Sequence, residues 1–244
     1  MAKQKFAAFD IDGTLFRSGL YREIAYELMK MKALPREVME ETTLKNREWR
    51  HRTHGNAFEE FDMLVVDRVG SALPDLRIAD YETAVQRVFS KKAENVYVYT
   101  RNLLQELKQN GYFLIAISGS QVEIVEPFAK KYGFDAWVGQ EWERGEEFFT
   151  GNTTKSHTDK DAILQHLIDE YQLDTTGSVA VGDSNGDAGM LGYVETAIAF
   201  NPTAELYEKA MEHKWNIVIE RKNMIYELRA NKNGQFELTS AVHV

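Results

Sequence analysis

The sequence contains no cysteine, which removes disulfides, thiolate nucleophiles and thiolate metal sites together. Any bound metal must therefore sit on oxygen or imidazole ligands. Positive charge is also scarce: 29 Lys and Arg face 38 Asp and Glu, a formal net charge of -9. That balance opposes sequence-independent attraction to phosphate backbones or anionic membrane surfaces, so neither a nucleic acid nor a membrane is expected as a partner. No segment approaches the roughly 18 uninterrupted apolar residues of a membrane span, and the opening MAKQKFAAFD is too short an apolar stretch for a secretion signal. The expectation is a soluble, cytoplasmic protein. The chain does have 244 residues, 43% of them hydrophobic and 27% charged. That is enough to bury one sizeable core or two smaller ones, and it excludes a disordered tail protein.

Three short apolar runs end in polar residues: Lys5 to Phe9 before Asp10, Tyr112 to Ile117 before Ser118, and Ser178 to Val181 before Gly182 and Asp183. Runs that are apolar at every position suit strands covered on both faces, and helical patterns lie at Leu103 to Gln109, Val122 to Tyr132 and Asp161 to Tyr171. Further strand candidates are Ala136 to Val138, Ala197 to Phe200 and Ile217 to Ile219. The fold class expected is α/β, a doubly wound, mostly parallel sheet with its ligand crevice at the carboxyl ends of the strands.

About a hundred residues separate the first strand from the second, far more than a crossover helix needs. Between Arg17 and Ala93 only Gly19, Gly55 and Gly70 interrupt the chain, and apolar residues recur at helical spacing: Tyr21, Ile24, Ala25, Leu28, then Phe58, Phe61, Leu64, Val65 and Val69. This predicts an inserted helical domain over residues 17–93, of about four helices, with a core domain formed by 1–16 and 94–244. The stretch from Gly139 to Gly151 reads as a hairpin, and Asn233-Gly234 suggests another in the tail.

Asp10-Ile11-Asp12-Gly13-Thr14 follows the first strand directly, so two carboxylates land at the sheet's carboxyl edge, although an ordinary Asp-Gly turn with Thr14 satisfying backbone groups fits the same letters. Gly182-Asp183-Ser184-Asn185-Gly186-Asp187 follows another strand, with Asp183 and Asp187 able to face one crevice or simply to cap a helix. Together, Asp10, Asp12, Asp183 and Asp187 would repel one another unless a cation neutralised them, and Mg2+, a hard ion that shares phosphate oxygens with its substrate, suits such a set. Ser120 and Glu123 spell a capping box, whereas Ser118 has no evident structural task; its hydroxyl and the following amides, beginning at Gly119, are placed to bind phosphate. Lys160 falls in the first turn of a helix, capped in a loose Thr158/Asp161 box, where the dipole disfavours a cation unless a dianion needs it. Lys155 is its competitor. The basic stretch from Lys45 to His54 reads first as a solvated helix face and second as a grip for another anionic group, while His51 and His54 are poor metal ligands among arginines. Trp49 and Trp142 read as packing or lid residues.

In this order the pieces resemble the haloacid dehalogenase superfamily of phosphatases: DIDGT as its first motif, Ser118 as its second, Lys160 as its third and GDSNGD as its fourth. The helical insertion after DIDGT and the stretch FDAWVGQEWERGEEFFTG are similar to the subgroup containing phosphoserine phosphatases, with a small helical cap. The resemblance implies Asp10 as nucleophile and Asp12 as acid/base. It makes Ser118 and Lys160 phosphate holders, with Thr14 and Gly119 beside them. Mg2+ would be held by Asp10, the Asp12 backbone carbonyl and Asp183, with Asp187 in support. The expected activity is hydrolysis of a small phosphorylated metabolite through an aspartyl-phosphate. A phosphotransferase using the same intermediate and a non-catalytic phosphate acceptor are the alternatives. Asp12 argues against dehalogenation, because halide departs without a proton.

Three features depart from phosphoserine phosphatases. Gly19 stands where that subgroup has a glutamate that grips the substrate's amino group, and Met63 or Leu64 stands near its carboxylate-binding arginine, unless Arg68 serves. Gly186 also replaces the usual asparagine of the fourth motif. Phosphoserine is therefore not expected to be the preferred substrate.

Overall fold

The computed structural model describes residues 3–155 and 159–244. Strand β1 (Lys5–Phe9) leads into four helices, α1 (Leu20–Met31), α2 (Arg36–His51), α3 (Ala57–Ser71) and α4 (Ile78–Lys92). The chain then alternates: α5 (Val98–Gln109), β2 (Phe113–Gln121), α6 (Val122–Tyr132), a hairpin of β3 (Ala136–Arg144) and β4 (Phe149–Lys155), α7 (Lys160–Glu170) and β5 (Asp174–Gly182). A short helix α8 (Ala188–Gly192), β6 (Thr196–Phe200), α9 (Ala204–His213), β7 (Asn216–Arg221), β8 (Met224–Ala230) and β9 (Phe236–His243) complete it.

The strands form one sheet in the order β4-β3-β2-β1-β5-β6-β7-β8-β9. Pairing is parallel from β3 through β7 and antiparallel at the two outer hairpins, β3/β4 and β7/β8/β9. The doubly wound, mostly parallel sheet is as the apolar runs imply. Strand β1 sits between β2 and β5, where successive connections leave in opposite directions, and this switch point opens the crevice at its carboxyl end.

Strand β1 is apolar throughout, yet its alternate residues serve different layers. Phe6 and Ala8 pack with Leu164, Met190, Leu206 and Ala210 of α7, α8 and α9. Ala7 and Phe9 face the opposite side, in a cluster that continues without a break into the insertion through Ile24, Leu28, Phe61, Tyr81 and Val85. The helices inserted after β1 thus share a core with one face of the sheet.

Several elements run beyond their expected bounds, β3 to Arg144 and β5 from Asp174 among them, and two show the reason. Helix α5 starts at Val98 rather than Leu103: the buried Glu220 carboxylate of β7 accepts a hydrogen bond from Tyr99 N at 2.9 Å, and Thr100 Oγ1 donates to Thr14 O at 2.9 Å. Strand β2 runs to Gln121, beyond the expected stop at Ser118, because Gln121 pairs with Gln140 of β3 and its Nε2 donates to Gln140 Oε1 at 3.0 Å.

Candidate active site

The turn after β1 is wound tightly, with Leu15 N and Phe16 N both donating to Ile11 O, at 3.0 and 2.8 Å. Gly13 takes φ +88° there, and a side chain at this position would overlap the Asp183 carboxylate. Gly182 is equally constrained, because a Cβ would run into Asp187. The glycines of both acidic motifs therefore let carboxylates lie directly against backbone.

Asp10, Asp183 and Asp187, although far apart in sequence, bring carboxylate oxygens within 4.8 Å of one another. Lys160, the first residue of α7, reaches among them: its Nζ donates to Asp10 Oδ1 and to Asp187 Oδ1, each at 2.6 Å. The other Asp10 oxygen, Oδ2, is buried and has no hydrogen-bond partner among the described residues. Burial pushes the Asp10 carboxyl up to about 7; Lys160 opposes this, and Asp187 and Asp12 add to it. Asp183 is raised well above the carboxylate range by burial and by Asp10 and Asp187. Burial draws Lys160 down, but Asp10 and Asp187 together hold it above its ordinary value. Asp187 is fully buried and well supplied with donors: besides Lys160, its Oδ2 accepts from Asp183 N at 3.0 Å, Ser184 N at 2.9 Å and Ser184 Oγ at 3.2 Å. With its lone pairs engaged in this way, Asp187 is better arranged to brace Lys160 and the turn than to receive a cation directly.

The Asp12 carboxylate points elsewhere. Its Oδ2 accepts from Ser118 Oγ at 2.7 Å and Ser120 Oγ at 2.8 Å, and its Oδ1 from Leu20 N at 2.5 Å. Ser120 Oγ accepts in turn from Tyr21 N at 2.9 Å. Asp12 and Ser120 thereby satisfy the first two amides of α1, which carries no side-chain cap of its own.

This arrangement corrects several expectations. Ser120 is not a capping-box residue: Gln121 precedes α6 without a side-chain cap, Ser120 faces the acidic site, and Glu123 pairs with Arg144 at 2.8 Å. Ser118 is buried and its hydroxyl is committed to Asp12, so of this segment it is Gly119 and Ser120 that line the crevice. Thr14 is fully buried, its hydroxyl has no partner among the described residues, and it does not line the crevice. The Asp12 carboxylate stands outside the acidic cluster in which the sequence reading grouped it. Asp159 caps α7, accepting from Ala162 N at 3.2 Å; Thr158 and the Lys155 side chain lie outside the described residues.

The crevice is a cavity of about 480 Å³. Asp10, Asp12, Lys160, Asp183 and Gly119 lie along it together with Gly19, Tyr21, Arg22, Phe58, Asp62 and Val66 of the insertion. Gln140 and Thr203 also reach it. Sequence reasoning missed Arg22, Phe58, Asp62, Gln140 and Thr203, whose spacing matches plain helix or strand patterns. Met63, Leu64 and Arg68 do not line the cavity; Arg68 pairs with Glu41 at 2.5 Å on the surface. The basic stretch from Lys45 to His54 lies outside it as well, and Lys45 Nζ already bridges Glu48 and Glu60 at 2.8 and 2.9 Å, filling that small acidic group with an ammonium. Trp49 stacks on Phe61, and Trp142 is buried against Tyr81 and Phe149, as packing residues.

A sequence model of the haloacid dehalogenase-like hydrolases matches residues 7–192. The chain belongs to this family. This hydrolase is 26% identical over 228 residues to a phosphoserine phosphatase of Methanocaldococcus jannaschii, an alignment that covers 91% of the chain and 95% of that protein. It is 29% identical over 128 residues to a phosphoserine phosphatase of Mycobacterium tuberculosis, spanning 51% of the chain but only 42% of the longer mycobacterial protein. Among solved structures, a phospho-aspartyl intermediate analogue of phosphoserine phosphatase superposes with a TM-score of 0.63 at 25% identity, covering 91% of the chain and 95% of that one. A Bordetella pertussis protein of unknown function shares the fold, with a TM-score of 0.67 at 16% identity and coverage of 90% and 99%. The hydrolase is a phosphatase of the phosphoserine-phosphatase-like type. No helix among the described residues is long and apolar enough to cross a membrane.

Proposed function

We propose that this hydrolase cleaves small phosphate monoesters in a magnesium-dependent reaction, with Asp10 as the nucleophile and the helical insertion serving as a cap over the substrate. One observation carries the reading: a buried carboxylate at the switch point has one oxygen tied to a buried lysine and the other without a partner among the described residues. A carboxylate oxygen left unpaired in a buried site is costly unless a cation or an electrophile is meant to meet it. The residues fit a hard divalent cation, since among the described residues the donors are carboxylate oxygens and no thiolate exists in the chain. Asp10 and Asp183 would hold it, together with the Asp12 backbone carbonyl by family resemblance, and Asp187 would brace the set. When bound, Mg2+ would supply charge neutralisation and polarise a phosphate oxygen.

The protein's own groups then divide the work. Asp10 Oδ2 attacks phosphorus and the ester oxygen leaves, giving an aspartyl-phosphate. Lys160 offsets charge beside the attacking carboxylate, and the Gly119 amide is available to a phosphate oxygen. Asp12 gives a proton to the departing alcohol and later takes one from the hydrolytic water. Ser118 and Ser120 suit a group that changes protonation state: a hydroxyl donates to the carboxylate and, after rotation, accepts from the carboxylic acid. The kinship with phosphoserine phosphatases supports the ester class. Gly19 and the outlying Arg68 support a preference other than phosphoserine.

The test is a panel of metabolite phosphates assayed with Mg2+ for both phosphate and alcohol. Steady release of the two in equal amounts is expected, with transfer to added alcohols a minor path. Asp10→Asn should lower turnover by about a thousandfold or more and leave no acid-stable phosphate on the protein. Wild-type turnover in that variant overturns the mechanism, and release limited to one equivalent favours a phosphate acceptor over an enzyme.

A further inference from the structure

The part of the cavity lined by the insertion has its own chemistry. Arg22, in the first turn of α1, is largely buried, with its side chain 14% exposed, and lines the cavity. Its guanidinium lies 5.0 Å from the centre of the Phe58 ring and rests against the backbone of Gly19, where a Cβ would stand 3.1 Å from the guanidinium carbon. Gly19 thus makes room for the arginine. Among the described residues, only one of its nitrogens, Nη1, is held by an acidic partner, Asp62 of α3, which is itself 42% exposed at the cavity. Arginine carries five N–H donors in a planar fork that matches a carboxylate or phosphate, and an aromatic face beneath it strengthens its orientation.

Resting on the phosphatase reading above, we propose that Arg22 is the residue that selects substrates carrying a second anionic group remote from the ester phosphate, with Gly19 and Phe58 shaping its seat. In the free protein Asp62 stands in for that group. A substrate carboxylate competes with Asp62 for the fork, so the two residues act on affinity with opposite sign. The cation that the insertion contributes to the cavity is then Arg22 of α1 and not the basic stretch from Lys45 to His54, none of which lines it.

The experiment compares three esters of one carbon skeleton: 3-phosphoglycerate, phosphoserine and glycerol 3-phosphate. For the wild type, kcat/KM is expected to be at least about tenfold higher for 3-phosphoglycerate than for glycerol 3-phosphate, expressed mainly in KM. Arg22→Met should remove that preference, Arg22→Lys should restore part of it, and Asp62→Asn should increase it. An arginine that only braces the fold would lower all three activities together, and Asp62→Asn would then copy Arg22→Met instead of opposing it. That pattern, or a wild type indifferent to the carboxylate, overturns the proposal while leaving the phosphatase reading intact. p-Nitrophenyl phosphate is the control: failure to hydrolyse it or any of the three esters removes the phosphatase reading, and this inference with it.

Discussion

Asp12 shows how much a single carboxylate can depend on its neighbours. Its three donors come from the last residues of β2 and from the start of α1, and two of the three are hydroxyls. In the mechanism proposed above, removing one should matter most when Asp12 delivers its proton. Ser120→Ala is predicted to lower kcat for an alkyl phosphate about tenfold, from the value of a hydrogen bond to a charged group. For p-nitrophenyl phosphate, whose leaving group departs without a proton, the loss should be several-fold smaller. Equal losses on both substrates would show that Ser120 is not tied to the proton transfer. Ser120 was misread from the sequence because Ser-x-x-Glu is a genuine helix-start pattern. Glu123 instead pairs with Arg144, and Tyr21, the donor to Ser120, lies 99 residues away. No local pattern contains that partner.

Among the elements, the apolar runs located the parallel strands because a strand buried on both faces must be apolar at each position. The helices of the insertion were legible for a similar reason, since Ile24, Ala25 and Leu28 form the buried stripe of α1. Helix starts were less so. The amide of Tyr99 near the start of α5 is satisfied by Glu220, from a strand 121 positions later. Glu220→Ala should destabilise the protein by about 1–2 kcal/mol, the value of a helix cap, and lower the Tm measured by calorimetry by roughly 2–4 °C per kcal/mol. Glu220→Gln, which keeps an acceptor oxygen, should lose less. An unchanged Tm in Glu220→Ala would remove the capping role.

For the whole molecule, the acidic site is a liability when no cation is bound. Asp10 is raised to about 7 and Asp183 well above its ordinary value, so the folded state holds protons that the unfolded chain releases near pH 4. Because the folded state binds more protons, stability falls as pH rises through this window. Lys160 is raised, so its contribution is fully present in this range and is lost only at high pH. The lowered carboxyls, such as Glu27, make contributions that are lost only at more acid pH. The metal-free protein should therefore melt at a lower temperature at pH 8 than at pH 5. Saturating Mg2+ should raise Tm more at pH 8, since binding needs the ionised carboxylates. A metal-free Tm that is flat or rises across that range would contradict the electrostatic picture of Asp10 and Asp183.

The sequence by itself determined the architecture and the identity of the acidic residues at its centre. Apolar runs ending in Asp10 and Asp183 state both the strand and the edge at which it stops, and these are properties of a few adjacent residues. Tertiary structure alone decided where those side chains point. It turned Asp12 toward two serines, engaged the Ser118 hydroxyl, bound up Asp187 with donors and laid Arg22 across Gly19 toward Phe58. Most of these contacts join groups brought together only when the sheet winds and the insertion packs on it. Their partners are chosen by three-dimensional distance, which local periodicity does not encode.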